Sequence, residues 1–366
     1  MTSTVVQTFG SDTLAQKKWS AALAVDDQKK SYFSRKFVGT SADNIIQRKT
    51  ELESEPGDVI SFDLSVQLRG APVTGDFKVK GTEENLRFFS DTVKIDQVRK
   101  GVSAGGKMTR KRTAHNLRQV ARDRLGDFWS AWQDELTFMY LAGKRGVNAD
   151  FIEALTYTGH AGNSFDAPDT AHIVYGGSAT AYNNIASTDK MAKITVEKAI
   201  VKADTMRQQD VTKQNMLPVM VMGEPHYVLL MHNFQEYDMR TADTTGWIDI
   251  QKAAAAAEGR KNRIFTGGLG MINNAVLHKH VNVVRSTDAG AGANVAVARA
   301  LLLARQAGVV AWGIPAGAQR FTWTEELEDA GNEPMVYAGT IVGMKKTRFN
   351  SADYGVISVD TAAAAP

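Results

Sequence analysis

The chain has 366 residues, 43% of them hydrophobic and none of them cysteine, so it can bury a large core but offers no disulfide, thiolate metal site or cysteine nucleophile. Its net charge of +3 is unevenly spread: residues 1–50 hold eight Lys or Arg against four Asp or Glu, and residues 99–124 hold nine against one. The amino terminus lacks a basic-then-apolar leader pattern, and no run approaches the roughly 18 apolar residues that cross a bilayer, which predicts a protein made in a cytoplasm and kept away from membranes.

Residues 1–50 show no sustained period. Short apolar pieces alternate with lysine pairs, which predicts an arm that takes its order from a partner. After the turn at Pro56-Gly57, Ile60, Phe62, Leu64 and Val66 alternate with other residues as in a strand. A second strand region with Phe77 and Val79 and a third piece with Val93, Ile95 and Gln97 follow, separated by glycines. Strands this polar bury too little to form a core, so they predict an exposed hairpin excursion that a partner must cover.

The segment Thr113–Ala142 then reads as one long helix capped by Thr113. Leu117, Ala121, Leu125, Phe128, Trp129, Trp132, Leu136 and Tyr140 recur at steps of three and four, with Arg118, Arg122, Gln133 and Asp134 on the other face. At 1.5 Å per residue it makes a rod of roughly 45 Å. Gly143 ends it, with Lys144 and Arg145 suited to the negative terminus. Residues 146–189 read as loop and Thr195–Gln209 as a second amphipathic helix.

Leu217–Met222 and Tyr227–Met231 read as buried strands about a turn, Asn233–Arg240 as a short helix, and Trp247–Glu258 as a helix carrying five alanines. Strands are expected near Ile264–Phe265 and Val276–Val284, with a flexible loop over Asp288–Gly292. Ala300–Ala311 is apolar apart from Arg305-Gln306, which marks it as buried without fixing its type. A polar segment (Thr324–Glu333), closing strands at Met335–Phe349 and Tyr354–Val359, and a frayed tail at Thr361–Pro366 complete the reading.

Three patterns raise the question of chemistry. Gly267-Gly268-Leu269-Gly270 lacks the Gly-Lys-Ser/Thr ending of a phosphate loop and reads as a turn. His278 and His280 share a strand face, but no third ligand stands at a telling distance, so they read as structural rather than metal-binding. Glu325, Glu326, Glu328 and Asp329 have no nearby histidine and read as an acidic interface patch. They complement Arg99, Lys100, Lys107, Arg110, Lys111, Arg112, Arg118 and Arg122, a basic set suited to a neighbouring subunit or to DNA held without sequence specificity. No catalytic residue, metal or cofactor is expected.

The order of arm, β excursion, long helix, mixed α/β portion and late strands resembles the HK97-type fold of tailed-phage major capsid proteins, an α+β class. Local strings are similar to the N4-type major capsid family: Glu83-Glu84-Asn85-Leu86-Arg87-Phe88-Phe89-Ser90-Asp91, Ile95-Asp96-Gln97-Val98-Arg99 and Gly106-Lys107-Met108-Thr109-Arg110. So are Leu117-Arg118 through Arg122-Asp123, Arg348-Phe349-Asn350 and the stretch Asp353–Asp360. The resemblance implies an N-terminal arm (1–55), an E-loop hairpin (56–110), a peripheral domain (111–190) with its spine helix at 113–142, a mainly axial domain (191–320) and return strands with a tail (321–366). It further implies hexamers and pentamers in an icosahedral shell around double-stranded DNA, assembled in a bacterial cytoplasm with portal, scaffolding and decoration proteins as partners. No lysine–asparagine crosslink is expected. The alternatives are an encapsulin-like nanocompartment shell and a nucleotide- or metal-binding enzyme.

Overall fold

The computed structural model describes residues 13–53, 56–65, 68, 70–86, 88–103, 105–112, 117–209, 216–221, 223–242, 246, 264, 268–314 and 320–366. In chain order, helices α1 (Thr13–Lys30) and α2 (Tyr32–Lys36) lead into short strands β1 (Val38–Gly39) and β2 (Ile46–Lys49). Next come β3 (Val59–Ser65), β4 (Phe88–Lys94), β5 (Asp96–Ser103), helix α3 (Lys107–Arg112) and helix α4 (Leu117–Ala142). Strand β6 (Ile173–Tyr175), helix α5 (Lys193–Gln209), β7 (Val219–Val221), β8 (Glu224–Met231) and helix α6 (Asn233–Ala242) follow. The remainder is β9 (Gly270–Ile272), β10 (Ala275–Lys279), β11 (Arg285–Ala289), β12 (Val295–Leu303), β13 (Gly308–Gly313), β14 (Phe321–Glu328), β15 (Glu333–Lys346), β16 (Arg348–Phe349), β17 (Ala352–Asp353) and β18 (Val356–Ala362). The proposed Thr113 cap and the alanine-rich helix at 247–258 lie outside the described residues.

Residues 13–50 depart from the expectation of an arm ordered only by a partner. Helix α1 lies along α4 and β14, and Leu23, Phe33, Phe37, Ile45 and Ile46 enter the same core as Trp129 and Trp132. Consecutive apolar residues Ala21–Val25 wrap around α1 instead of marking one face, so no stripe shows in the sequence. Two residues expected on a solvent face of α4, Gln133 and Asp134, are buried beneath these helices. Asp134 caps α2 from across the interface: its carboxylate accepts from the Ser31 hydroxyl (2.7 Å) and from the N–H groups of Tyr32 (2.7 Å) and Phe33 (3.1 Å).

Helix α4 buries Ala121, Leu125, Trp129, Trp132, Leu136 and Tyr140, the predicted stripe, and its last three turns are covered all round. It ends where expected, with Gly143 left-handed at φ 72° and its N–H returning to the Met139 carbonyl at 2.8 Å. The charge at that terminus differs from the expectation. Arg299, 157 residues away in sequence, donates to the Ala142 carbonyl at 2.8 Å and pairs with Asp360 at 2.7 Å. Arg145 instead binds loop carbonyls of Asn148 and Glu153, each at 2.7 Å.

Two sheets flank α4. One runs β1-β2-β13-β15-β14, with β5 on β15 as well; the other runs β6-β18-β12-β8-β10-β9, with β11 on β12 and β7 on β8. The central strands β8 and β12 of the second sheet are buried on both faces along most of their length. Val228, Leu230, Leu301 and Leu303 point into the α4 core, while Leu229, Met231, Ala300 and Leu302 point into a core completed by Val196, Ala199, Ile200 and Ala203 of α5. The run 300–311, apolar except for Arg305-Gln306, is thus the end of β12, a crossover that carries those two residues, and most of β13 in the other sheet. A strand covered on both faces has no reason to alternate.

The polar segment 324–333 forms most of β14 and a turn into β15. The tail is less frayed than expected, since Thr361 and Ala362 belong to β18 and the Ala363 N–H reaches the Ala296 carbonyl at 2.9 Å.

The excursion is a two-stranded hairpin of β3 and β4, paired from Val59↔Lys94 to Ser65↔Phe88. Its base is anchored: Ile60, Phe62 and Val93 pack on Val309, Ala311, Phe349 and Tyr354. Asp91 binds Lys345 at 2.5 Å, and the Asn163 amide closes two bonds to the Lys94 backbone, at 3.0 and 2.8 Å. No strand forms around Phe77 and Val79, and the third piece divides, Val93 staying in β4 while Gln97 belongs to β5 on the large sheet. Gly343 permits this crossing, because a Cβ there would lie 2.0 Å from the Lys94 carbonyl oxygen.

Candidate assembly surfaces

Strand β15 carries β14 along one edge and β5 along the other, with Val336 facing both Glu325 and Val102 and Met335 facing both Glu326 and Ser103. Arg99 and Lys100 of β5 and Glu325, Glu326 and Glu328 of β14 therefore lie two strands apart in one sheet, with strands spaced roughly 5 Å. The basic and acidic sets also meet at the turn. Asn332 donates to Asp329 (3.0 Å), accepts from the Lys107 backbone N–H (3.1 Å), and offers its carbonyl to Arg110 (3.1 Å). Ser103 bonds Glu333 beside them. Part of the charge complementarity expected between neighbours is thus used within the chain, docking the start of α3 on the β14–β15 turn.

The eight basic residues divide accordingly. Arg99, Lys100, Lys107, Lys111 and Arg112 are exposed, with Lys100 lying 4.9 Å over the Phe128 ring. Arg110 is half-buried against Asn332. Arg122 is committed inside the subunit: it pairs with Asp123 (2.8 Å) and Asp26 (3.5 Å) and stacks over Trp19 of α1 at 5.4 Å. The side chain of Arg118 lies outside the described residues. Of the acidic set, Glu325 is buried and accepts from the Trp323 indole at 2.8 Å; Glu328 accepts from Tyr337 at 2.8 Å; Glu326 and Asp329 are exposed.

His278 and His280 serve the core. His278 contacts the Ile264 carbonyl at 2.7 Å, and the His280 ring stacks on Phe138 and leans on Tyr32 at 4.9 and 4.7 Å. Burial holds both imidazoles at about 4, so they are neutral at pH 7. Gly270 of the glycine cluster opens β9, paired to β10. Among the described residues, no group of three or more His, Cys, Asp or Glu is placed to hold a metal.

Two features escaped sequence reasoning. Beneath α1 and α2, Asp27 is fully buried and burial lifts its carboxyl to about 7; burial likewise lifts Asp134 to about 6, against the three hydrogen bonds it accepts. No local signal exists for this pair, because each partner is about a hundred residues distant. The hairpin tip also keeps a row of bare apolar side chains: Leu68, Phe77, Val79, Leu86 and Phe88, with Phe77 79% exposed. The signal for those was present, as scattered apolar residues among glycines and charges without a period.

Comparison with known proteins gives this arrangement its family. Residues 7–365 match the family model described as phage capsid protein. A major capsid protein of Pseudomonas phage KPP25 is 26% identical over 360 residues, covering 90% of this chain and 91% of the relative. The capsid of Ralstonia phage GP4 matches with 57% identity and a TM-score of 0.88, covering 100% of this chain and 99% of that one. The capsid asymmetric unit of cyanophage Pam1 shares the fold, with a TM-score of 0.70 at 20% identity over 92% and 93% of the two chains. The fold is HK97-like, and the role is structural, in the shell of a virion, with nothing favouring the nanocompartment or enzyme alternatives. The chain belongs to the phage capsid protein family, as a major capsid protein.

Proposed function

We propose that this subunit assembles as hexamers and pentamers into an icosahedral shell around double-stranded DNA, in the host cytoplasm, with portal and scaffolding proteins as partners. The observation that carries the reading is the hairpin β3–β4, bolted to the subunit at its base and bare at its tip. A long apolar tip left in water is an aggregation hazard unless a second copy covers it. In this reading residues 1–55 are the arm and 56–94 the E-loop lying over a neighbour; the expected bound of 110 is too long, because β5 and the start of α3 are tied to the subunit's own β15 and β14–β15 turn. Residues 111–190 form the peripheral domain with α4 as its spine, 191–320 are mainly axial, and 321–346 return to the peripheral domain, while β18 lies in the sheet of β12 and β8. The exposed Arg99, Lys100, Lys107, Lys111 and Arg112 face polyanion or an acidic neighbour, together with Glu326 and Asp329 as the acidic counterpart; Arg122 serves the subunit's own fold.

Negative-stain microscopy of the expressed protein, with nucleic-acid content measured on the purified particles, tests this. Closed shells or capsomers are expected, and DNA inside particles made with the phage packaging proteins. A protein that stays monomeric at high concentration with those partners present would contradict the reading.

A further inference from the structure

A cavity of about 240 Å³ lies between the α1–α2 corner, β2, α4 and β13, and opens past the exposed Gln28 and Thr40. Its apolar floor includes Phe33, Trp312 and Met344. Its charge is one-sided: among the described residues Arg48, Arg320 and Lys345 line it, and no aspartate or glutamate does. Two of these cations are already matched, Arg48 by Glu53 at 2.9 Å and Lys345 by Asp91 at 2.5 Å. Arg320 is not. Its guanidinium lies 4.4 Å over the Trp312 ring, and no carboxylate among the described residues forms an ion pair with it. Burial and then the nearby Arg48 charge pull its pKa below the ordinary value, and the fields of Asp27 and Glu53 oppose that shift without reversing it. Asp27 is itself off the lining and keeps its proton below about 7. The wall therefore carries one cation in excess, on a planar fork whose shape matches a carboxylate.

We propose that this cavity binds a small organic monocarboxylate, with its carboxylate on Arg320 and its apolar body on the floor of Phe33, Trp312 and Met344. Volume sets the size: a cavity of roughly 150 Å³ holds benzene, so this one has room for an aryl ring with one carboxylate attached. Inorganic phosphate or sulfate would meet the arginine and leave the apolar floor uncovered. A neutral aromatic would do the reverse, and a dicarboxylate would exceed the single unmatched charge. The ligand would touch α2, α4 and β13 together and brace the α1–α2 corner against the core. The site lies within one subunit and owes nothing to assembly.

Isothermal titration of benzoate, with about nine non-hydrogen atoms, into the full chain at pH 6 should show one saturable site with Kd at or below about 1 mM. Benzamide keeps the ring and loses the charge, and acetate keeps the charge and loses the ring. Each should bind at least about tenfold more weakly than benzoate. Arg320→Gln should bring benzoate down to the level of benzamide while the far-UV circular dichroism stays unchanged. Irradiated 4-azidobenzoate should label peptides of α2, β2 or β13, and excess benzoate should suppress that labelling. Absence of saturation by benzoate, equal binding of benzamide or acetate, unchanged benzoate affinity in Arg320→Gln, or labelling confined to other peptides would each overturn the assignment. The comparison of ligands uses the unaltered chain and decides the matter even if Arg320→Gln does not fold.

Discussion

The β12–β8 region and the hairpin are both sheets, yet they solve opposite problems. Each face of β8 and β12 is covered, by the α4 core on one side and the α5 core on the other, and almost every side chain there is buried. The hairpin covers one face at its base and nothing at its tip. Burying apolar area at about 25 cal/mol per Å² stabilises a fold only where the cover belongs to the same chain. The body therefore holds the subunit's stability, and the tip holds interaction area that only another molecule can claim. A capsid subunit needs both, since it must fold before it assembles.

That division can be broken at its strong end first. Trp129→Ala, at the centre of the α4 core, should cost about 3–5 kcal/mol and leave little folded subunit, as measured by denaturant unfolding. Lys346→Met strands the buried Asp353, 2.7 Å away, and should cost about 3 kcal/mol by the same measurement, less if Arg348 at 3.1 Å takes over the pair.

Gly343→Ala acts at the joint between the two regions. Its Cβ meets the Lys94 carbonyl, so it should cost about 1–3 kcal/mol and release the hairpin base, seen as faster proteolysis within 59–94 while the body stays protected.

The smallest effect is a pH dependence under α1. Asp27, lifted to about 7, holds a proton in the folded state that it lacks when unfolded above its ordinary value of about 4. Its favourable contribution is present in full below about 4 and is lost as pH rises through 7. Asp27→Asn removes that loss, so the melting temperature of the variant minus that of the parent should grow between pH 5 and pH 8. The difference cancels the buried histidines, which are common to both proteins. A difference that stays flat or shrinks would show that Asp27 is not a buried neutral acid.

What could be read in the sequence depended on how many faces of an element are covered, and by what. Leu117 to Trp129 on α4 and Ile60 to Leu64 on β3 show a period because one face meets a core and the other meets something more polar. Residues 300–304 and 307–311 carry no period because both faces are buried, and α1 carries none because Ala21–Val25 wrap around it. Asp134 looked like a solvent-facing carboxylate because its partners Ser31, Tyr32 and Phe33 lie just over a hundred residues away. At the candidate surfaces the charge runs were visible, but not their division. Arg122 is spent on Asp26 and Trp19, and Arg110 on Asn332, contacts that only tertiary structure creates.

The most direct measurement compares the intact chain with one in which residues 70–86 are replaced by a short glycine-serine turn, by sedimentation velocity and thermal melting at matched concentration. Stability in the body and assembly in the tip predict an unchanged melting temperature, shells or capsomers from the intact chain, and a folded species that stays monomeric from the shortened one. A shortened chain that assembles as readily as the intact one, or that unfolds, would contradict it.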